Sequence, residues 1–420
     1  MTPEKVDIVI VGAGPAGLAA AAVLAQNGAT VVVLDEAPIP GGRLPGQIHP
    51  QPGRKPGSLK KWSNGAARAC ALTEMATQAG ARIICGASVW GIFSGWHVAV
   101  APVDPNSSHA DLPAGYDARA VIIATGATQN PVVLDGWTLP GVITAGAAQT
   151  LINIHHVLPG RNAAFVGLDP LSMSTAQLMS EAGANVHGIV LPPVNGLQTE
   201  LSSPAAAIKT LARFSNYAPT RSLALLGKIS GRMSRIAAIL YPKSGVAVDG
   251  TRLFLRHAAL AVEGRSHAEQ IVVAGVNSDG MIKSDRKKRW KVDVVITSAG
   301  LSPLVELAQV SGCPLIHVSD LGGWVPLHNS RLETPLDGLF VSGSITGVEG
   351  SEVAEAQGRL AGLVVSDYLG LLISASVNDS LIECQIAVHA ARKKAISFLP
   401  NIVSGRDELL RHWEVNRVPI

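Results

Sequence analysis

The sequence predicts an α/β protein built from two strand-turn-helix-strand units, and three observations predict it. An apolar run, Val6 to Val11, passes directly into Gly12-Ala13-Gly14-Pro15-Ala16-Gly17, then into an alanine-rich helical pattern closed by Asn27-Gly28, a second apolar run and Asp35-Glu36. The same order returns from Arg161 in NAAFVGLDPLSMSTAQLMSEAGANVHGIVL, an internal repeat that marks a second domain. The chain has 420 residues, more than the ~250–300 at which a single core stops growing.

Each part of the first unit has a physical job. Gly12 permits a tight turn, Gly14 lacks the Cβ that would hold a pyrophosphate off the backbone, and Gly17 lets the helix pack closely on the strands. Pro15 and Ala16 open the helix, whose N-terminus offers free N–H groups and the positive end of the helix dipole to a phosphate. Asp35, at the end of the second strand and followed by Glu36, is placed to accept hydrogen bonds from a ribose diol. The sequence therefore predicts an adenine dinucleotide site in a Rossmann-like unit.

Composition narrows the function classes. With 47% hydrophobic and only 15% charged residues, the chain reads as a rigid, heavily buried protein with room for subunit interfaces. A net charge of +3 is too small to indicate nucleic acid, and the run Asp285 to Arg289 is expected as a solvated hairpin tip. Cys70, Cys85, Cys313 and Cys384 form no CxxC or other close pair, so no redox dithiol, zinc knuckle or iron–sulfur cradle is expected. His155 and His156 are adjacent, lack ligand-spaced companions and do not read as a metal site. The sequence shows no signal-peptide pattern, and its apolar stretch at 360–377 is interrupted by Asp367 and Tyr368, so a cytoplasmic chain without an integral membrane segment is expected.

After Asp35 come Gly41-Gly42-Arg43 and the aperiodic loop GQIHPQPGRKPG, which is expected to lie over a ligand; His49 in that loop is a candidate for tuning the ligand or relaying a proton. A helix at 60–80, strands in ARIICGASVWGIF and WHVAVAPV, and a polar turn at 104–115 follow. Ala120 to Gly126 reads as a buried strand ending in small residues, as does Asp293 to Gly300. The stretch 200–241, with Lys209, Arg213, Arg221, Lys228, Arg232 and Arg235, reads as helices covering the second domain or as a docking surface. ETPLDGLFVSG then leads into a helix at 350–368 and a partly helical tail.

The two dinucleotide-type units, the ATG strand (Ala124 to Gly126), the segment from Glu333 to Gly343 and the final helix together resemble the two-dinucleotide-binding-domain flavoprotein family that contains thioredoxin reductase. Within it, GGRLPGQIHPQP, ATGATQNPVVLDGWTLPGVITAGAAQTL and EGSEVAEAQGRLAG resemble the α (A) subunits of heteromeric opine, hydroxyproline, proline and sarcosine dehydrogenases and oxidases and of hydrogen cyanide synthase. The resemblance implies a discontinuous FAD-binding domain at 1–130 and 286–385, a second NAD(P)-type domain at 131–285 that is degenerate, and a tail at 386–420. It implies FAD held by Gly12, Gly14, Pro15, Ala16, Gly17, Asp35, Glu36, Gly42, Arg43, Thr125, Gly126, Gly343, Ser344 and Val353. It further implies a catalytic β flavoprotein subunit that oxidises the amine, and FMN or a [2Fe-2S] cluster on or between partner chains, one of them a small iron–sulfur subunit.

Three departures qualify the resemblance. The second unit's turn is Gly167-Leu168-Asp169-Pro170-Leu171-Ser172, and a carboxylate there disfavours a pyrophosphate, so NAD(P) binding is doubtful; Asp169 is expected to cap the following helix. Ser344 stands where the family has an acidic residue. Only Cys384 lies in the tail region where relatives carry a cluster. The leading expectation is thus an FAD-binding α subunit that passes electrons between an acceptor and a β subunit. The alternatives are an NAD(P)H-dependent flavin reductase acting on a quinone, ferredoxin or disulfide, and a non-catalytic nucleotide-binding assembly subunit.

Overall fold

The computed structural model describes residues 3–50, 62–104, 112–194, 202–213, 233–372, 377–395, 399 and 401–415. They divide into two units, the first made of 1–45, 65–128 and 301–420, the second of 46–64 and 129–300.

The first unit is built on a parallel sheet whose centre is the strand Glu4–Val11. Val31–Asp35 and then Arg82–Cys85 extend it on one side, and Gly115–Ile123 on the other. Leu339–Val341, more than two hundred residues later, pairs in parallel with 121–123, while His97–Pro102 and Ala87–Phe93 continue the sheet antiparallel. Ile8, Val9 and Ile10 have no exposed surface, as strands covered on both faces require. The helix Pro15–Gln26 packs on this sheet and against the helix Ser351–Tyr368. That helix pair is close because glycines permit it: an added Cβ at Gly358 would lie 2.1 Å from the Ala16 carbonyl oxygen, and one at Gly362 would lie 2.8 Å from Val23 Cβ. Two tail helices, Val377–Lys394 and Ile402–Val415, complete this unit.

The second unit repeats the plan. Its parallel strands run Val142–Thr144, Val294–Thr297, Asn162–Val166, Asn185–Leu191, Thr251–Glu263, and the antiparallel strands Gln270–Val276 and Ile282–Lys291 follow.

Several boundaries differ from the sequence-based ones. A division at 286 would cut the strand Ile282–Lys291, and Val294–Thr297 pairs with Val142–Thr144 and Asn162–Val166, so the break falls after Gly300. The run Asp285 to Arg289 lies within that outer strand rather than at a hairpin tip; cations on an edge strand discourage pairing with other chains. Of 200–241, the described parts are the helices Pro204–Arg213 and Ser234–Leu240; Arg221, Lys228 and Arg232 lie outside the described residues. Among the described residues no helix is long and apolar enough to cross a membrane.

Candidate cofactor site

The first glycine turn is shaped by what surrounds it. Gly12 has φ +109°, and a Cβ there would fall 2.4 Å from the carbonyl oxygen of Ala124. A Cβ at Gly17 would fall 1.9 Å from the Gly12 carbonyl oxygen, so the helix can close on the turn only if this residue has no side chain. Gly14 is different, because an added Cβ would meet nothing within 4 Å. Its side is open, it is the N-cap of the helix Pro15–Gln26, and no side chain caps that helix. An uncapped helix start facing open space is a cradle for an anion.

The turn is held from behind. Ala13 N donates to Asp35 Oδ2 at 2.6 Å and Ala37 N to Oδ1 at 2.8 Å. Burial pushes the Asp35 carboxyl up from its ordinary value, and those two backbone donors work against that rise. Glu36, next along, is exposed. Gly41 N donates to the Ala13 carbonyl at 2.8 Å, and Gly42, at φ +58°, comes so near Gly14 that a Cβ would be 3.0 Å from its Cα. Arg43 Nη2 donates to the Ala127 carbonyl at 2.8 Å. Thr125 Oγ1 donates to the Leu304 carbonyl at 2.7 Å, and Leu304 N returns a bond to Gly126 O at 3.1 Å.

The late segment reaches the same helix. Gly343, at φ +81°, would place a Cβ 2.8 Å from Ala16 Cβ, and its N–H donates to Gln357 Oε1 at 2.9 Å. Ser344 is half-buried in the short turn Gly343–Thr346. Gly350, at φ +101° with nothing within 4 Å of an added Cβ, begins the helix Ser351–Tyr368, again without a side-chain cap. The side chain of Val353 is 1% exposed and belongs to the core, so only its backbone could face a ligand. The backbone of His49 runs in the strand Ile48–Pro50, and its side chain lies outside the described residues.

Sequence reasoning missed the buried polar set around the late turn. Glu349 is 3% exposed and meets both Arg392 and Arg406; His328, Thr346 and Gln357 join them. Burial, with Arg406 beside it, lowers His328 to about 3, so it is neutral, and its Nδ1–H donates to the Pro326 carbonyl at 2.6 Å. The guanidiniums hold the Glu349 carboxyl below its ordinary value against its burial. Nothing in the spacing of these residues could have revealed the set, since its members come from four separate stretches of chain.

The second turn keeps one feature of the first and loses the other. Gly167, at φ +103°, would put a Cβ 1.7 Å from the Ser298 carbonyl oxygen, the counterpart of Gly12 against Ala124. Asp169, however, occupies the N-cap. Its Oδ1 accepts from Ser172 N at 2.7 Å, Asp169 N donates to Ser172 Oγ at 3.0 Å, and its Oδ2 accepts from Ser298 Oγ at 2.6 Å and Gly300 N at 3.3 Å. The expected capping role is what the geometry gives. This helix start does not fit a pyrophosphate as the first one does. Among the described residues no group of three or more His, Cys, Asp or Glu could hold a metal, and His155 and His156 are exposed.

Two doubly wound units and an open glycine cradle define the class, an FAD-dependent oxidoreductase of the two-domain flavoprotein kind. The model of the pyridine nucleotide-disulphide oxidoreductase family matches residues 6–204 of the chain. Over 417 residues the chain is 28% identical to the A subunit of opine oxidase from Agrobacterium tumefaciens (strain Ach5), a likeness covering 96% of this chain and 74% of that one. Its fold matches L-proline dehydrogenase from P. horikoshii with a TM-score of 0.59 at 20% identity, covering 91% of this chain and 60% of that one. Thioredoxin reductase from T. acidophilum matches with a TM-score of 0.58 at 19% identity, covering 87% of this chain and 98% of that one. At such identities the two solved structures speak for the fold alone. The chain thus spans about three-fifths of the length of the proline dehydrogenase chain.

Proposed function

We propose that this chain is the FAD-binding α-type subunit of a heteromeric amine or amino-acid dehydrogenase of the opine, hydroxyproline or sarcosine type, passing electrons between an acceptor and a substrate-oxidising β subunit. The observation that carries the reading is the contrast between the open, uncapped turn at Gly14 and the self-capped turn at Asp169. The first fits FAD, with the backbone at Gly14, Ala16 and Gly17 receiving the diphosphate and Asp35 the ribose diol. Gly42, Arg43, Thr125, Gly126, Gly343 and Ser344 would line the rest, and Pro15 sets the helix start. FAD when bound supplies acceptance of two electrons. The uncapped start of the helix Ser351–Tyr368 offers a positive dipole end to the charge that reduction adds.

The relative named above is, by its name, one subunit of an enzyme, which supports a partner chain; substrate oxidation and any FMN or [2Fe-2S] group are assigned to that partner in this reading. The test is direct. Purified protein should carry one flavin absorbance band set, releasable as FAD, and anaerobic NADH or NADPH should leave it oxidised. Rapid bleaching by either would favour the flavin reductase reading, and colourless protein that takes up no FAD would favour the assembly-subunit reading.

A further inference from the structure

The two tail helices reach back into the first unit with charge. Arg392 comes from the helix Val377–Lys394 and Arg406 from the helix Ile402–Val415, and both meet Glu349, which immediately precedes the open Gly350. Arg392 binds both carboxylate oxygens through Nε and Nη2, and Arg406 Nη2 donates to Glu349 Oε2 at 2.6 Å and to Thr346 Oγ1 at 3.0 Å. Arg406 Nη1 donates to the bare Nε2 of neutral His328 at 3.3 Å. Thr346 Oγ1 and Gly343 N both donate to Gln357 Oε1, at 3.3 and 2.9 Å, and Gln357 Nε2 turns to Glu349 at 3.5 Å. The side chains of Arg392 and Arg406 are only 15% and 11% exposed.

Burying three charges costs desolvation, and such a set adds little stability over an apolar one of equal shape; fixing a geometry is the use that remains. The geometry at stake is the turn 343–350, whose glycines at 343, 347 and 350 all have positive φ and by themselves specify no single shape. All of these ties except the Arg406–His328 bond end on that turn, three of them made with Gln357 of the helix that follows it. Two guanidiniums against one carboxylate also leave one net positive charge beside it.

We propose that the tail helices are a cofactor-positioning element, in which Arg406 and Arg392 clamp Glu349 and thereby fix the 343–350 turn in the form that receives the flavin portion of FAD. The inference rests on the FAD reading of the first unit. Arg406 is a positioning residue acting through Glu349 and Thr346, and its positive charge favours the electron-rich reduced cofactor.

The experiment uses the full chain, stripped of flavin and titrated with FAD. With the turn no longer held, Arg406→Met should weaken FAD binding by roughly tenfold or more, and should move the midpoint potential of the bound flavin to more negative values. Arg406→Lys should recover part of both. Ile189→Ala, which opens the core of the second unit, serves as the control: it should lower the melting temperature and leave affinity and potential alone. If Arg406→Met lowers only the melting temperature, as Ile189→Ala does, the clamp is merely structural and the inference falls. Wild-type protein that takes up no FAD would overturn the underlying reading and this inference together, a result distinct from normal uptake by both wild type and Arg406→Met, which overturns this inference alone.

Discussion

The turns at Gly12 to Gly17 and Gly167 to Ser172 begin alike and end differently. Each opens with a glycine at strongly positive φ, +109° and +103°, pressed against a carbonyl of a neighbouring strand end, Ala124 or Ser298. Two positions on, Gly14 leaves its helix start uncapped, whereas Asp169 satisfies its own from Oδ1 and spends Oδ2 on Ser298 and Gly300. A fold can therefore keep the backbone path of a nucleotide turn while a single side chain changes what the turn offers a ligand. The first unit leaves its helix start without a side-chain cap, and the second uses its own for stability.

The largest expected effect comes from making the first turn like the second. Gly14→Asp has room for its side chain and should cap the helix, so the apo-protein should melt no lower than wild type. FAD affinity should nevertheless fall about a thousandfold, because a carboxylate ~4 Å from a phosphate charge at an effective dielectric near 20 is repelled by roughly 4 kcal/mol. Equilibrium titration of flavin-free protein measures it, and undiminished affinity would show that the diphosphate does not sit there.

Acid comes next, acting on the first unit through a buried histidine. His328 in the first unit is held neutral to about 3, below the ordinary value of 6.5 that it regains on unfolding. The unfolded chain then binds a proton the folded chain refuses, so stability is full above pH 6.5 and declines as pH falls towards 3. The loss should reach roughly 3 kcal/mol by pH 4. Denaturant titrations at stepped pH should show this slope, and His328→Gln should flatten it; an unchanged slope in that variant would assign the acid sensitivity elsewhere.

A smaller change is expected from removing the second turn's cap. Asp169→Ala leaves Ser172 N, Ser298 Oγ and Gly300 N without their acceptor and should cost about 2 kcal/mol of stability. Flavin content should not move, since the site assigned to FAD lies in the other unit. The smallest effect belongs to Arg119, whose ion pair with Asp7 at 3.0 Å is more than half exposed on the arginine side. Arg119→Ala should change stability by less than about 1 kcal/mol, and a larger drop in chemical denaturation would mean its bond to the Leu369 carbonyl matters more than the pair.

The part of the site legible in the sequence is the part made of contiguous residues. The Gly12 to Gly17 turn, Asp35 and the capping role of Asp169 are local chemistry: a strand, a turn and a helix head lie within a few residues of one another, and glycine or aspartate at a fixed offset has one geometric meaning. The burial of the Val353 side chain was not legible, because helix periodicity gives a face but not what covers it. The boundary at 286 was misplaced because a strand's partners are not written in its own residues. Ile282–Lys291 and Val294–Thr297 both look like strands, and only pairing shows that both belong to the second unit.

The sequence by itself determined the two α/β units, the open first turn and the blocked second, since each follows from backbone freedom and capping within one short segment. Only the tertiary structure decided that Glu349, Arg392, Arg406, His328 and Gln357 form one buried set. Bonded partners in it lie as much as 78 residues apart in the chain, and a long-range polar contact is chosen by which surfaces the packed elements bring together. No residue in such a set carries a local signal, because its charge has no reason to be buried until the others are in place.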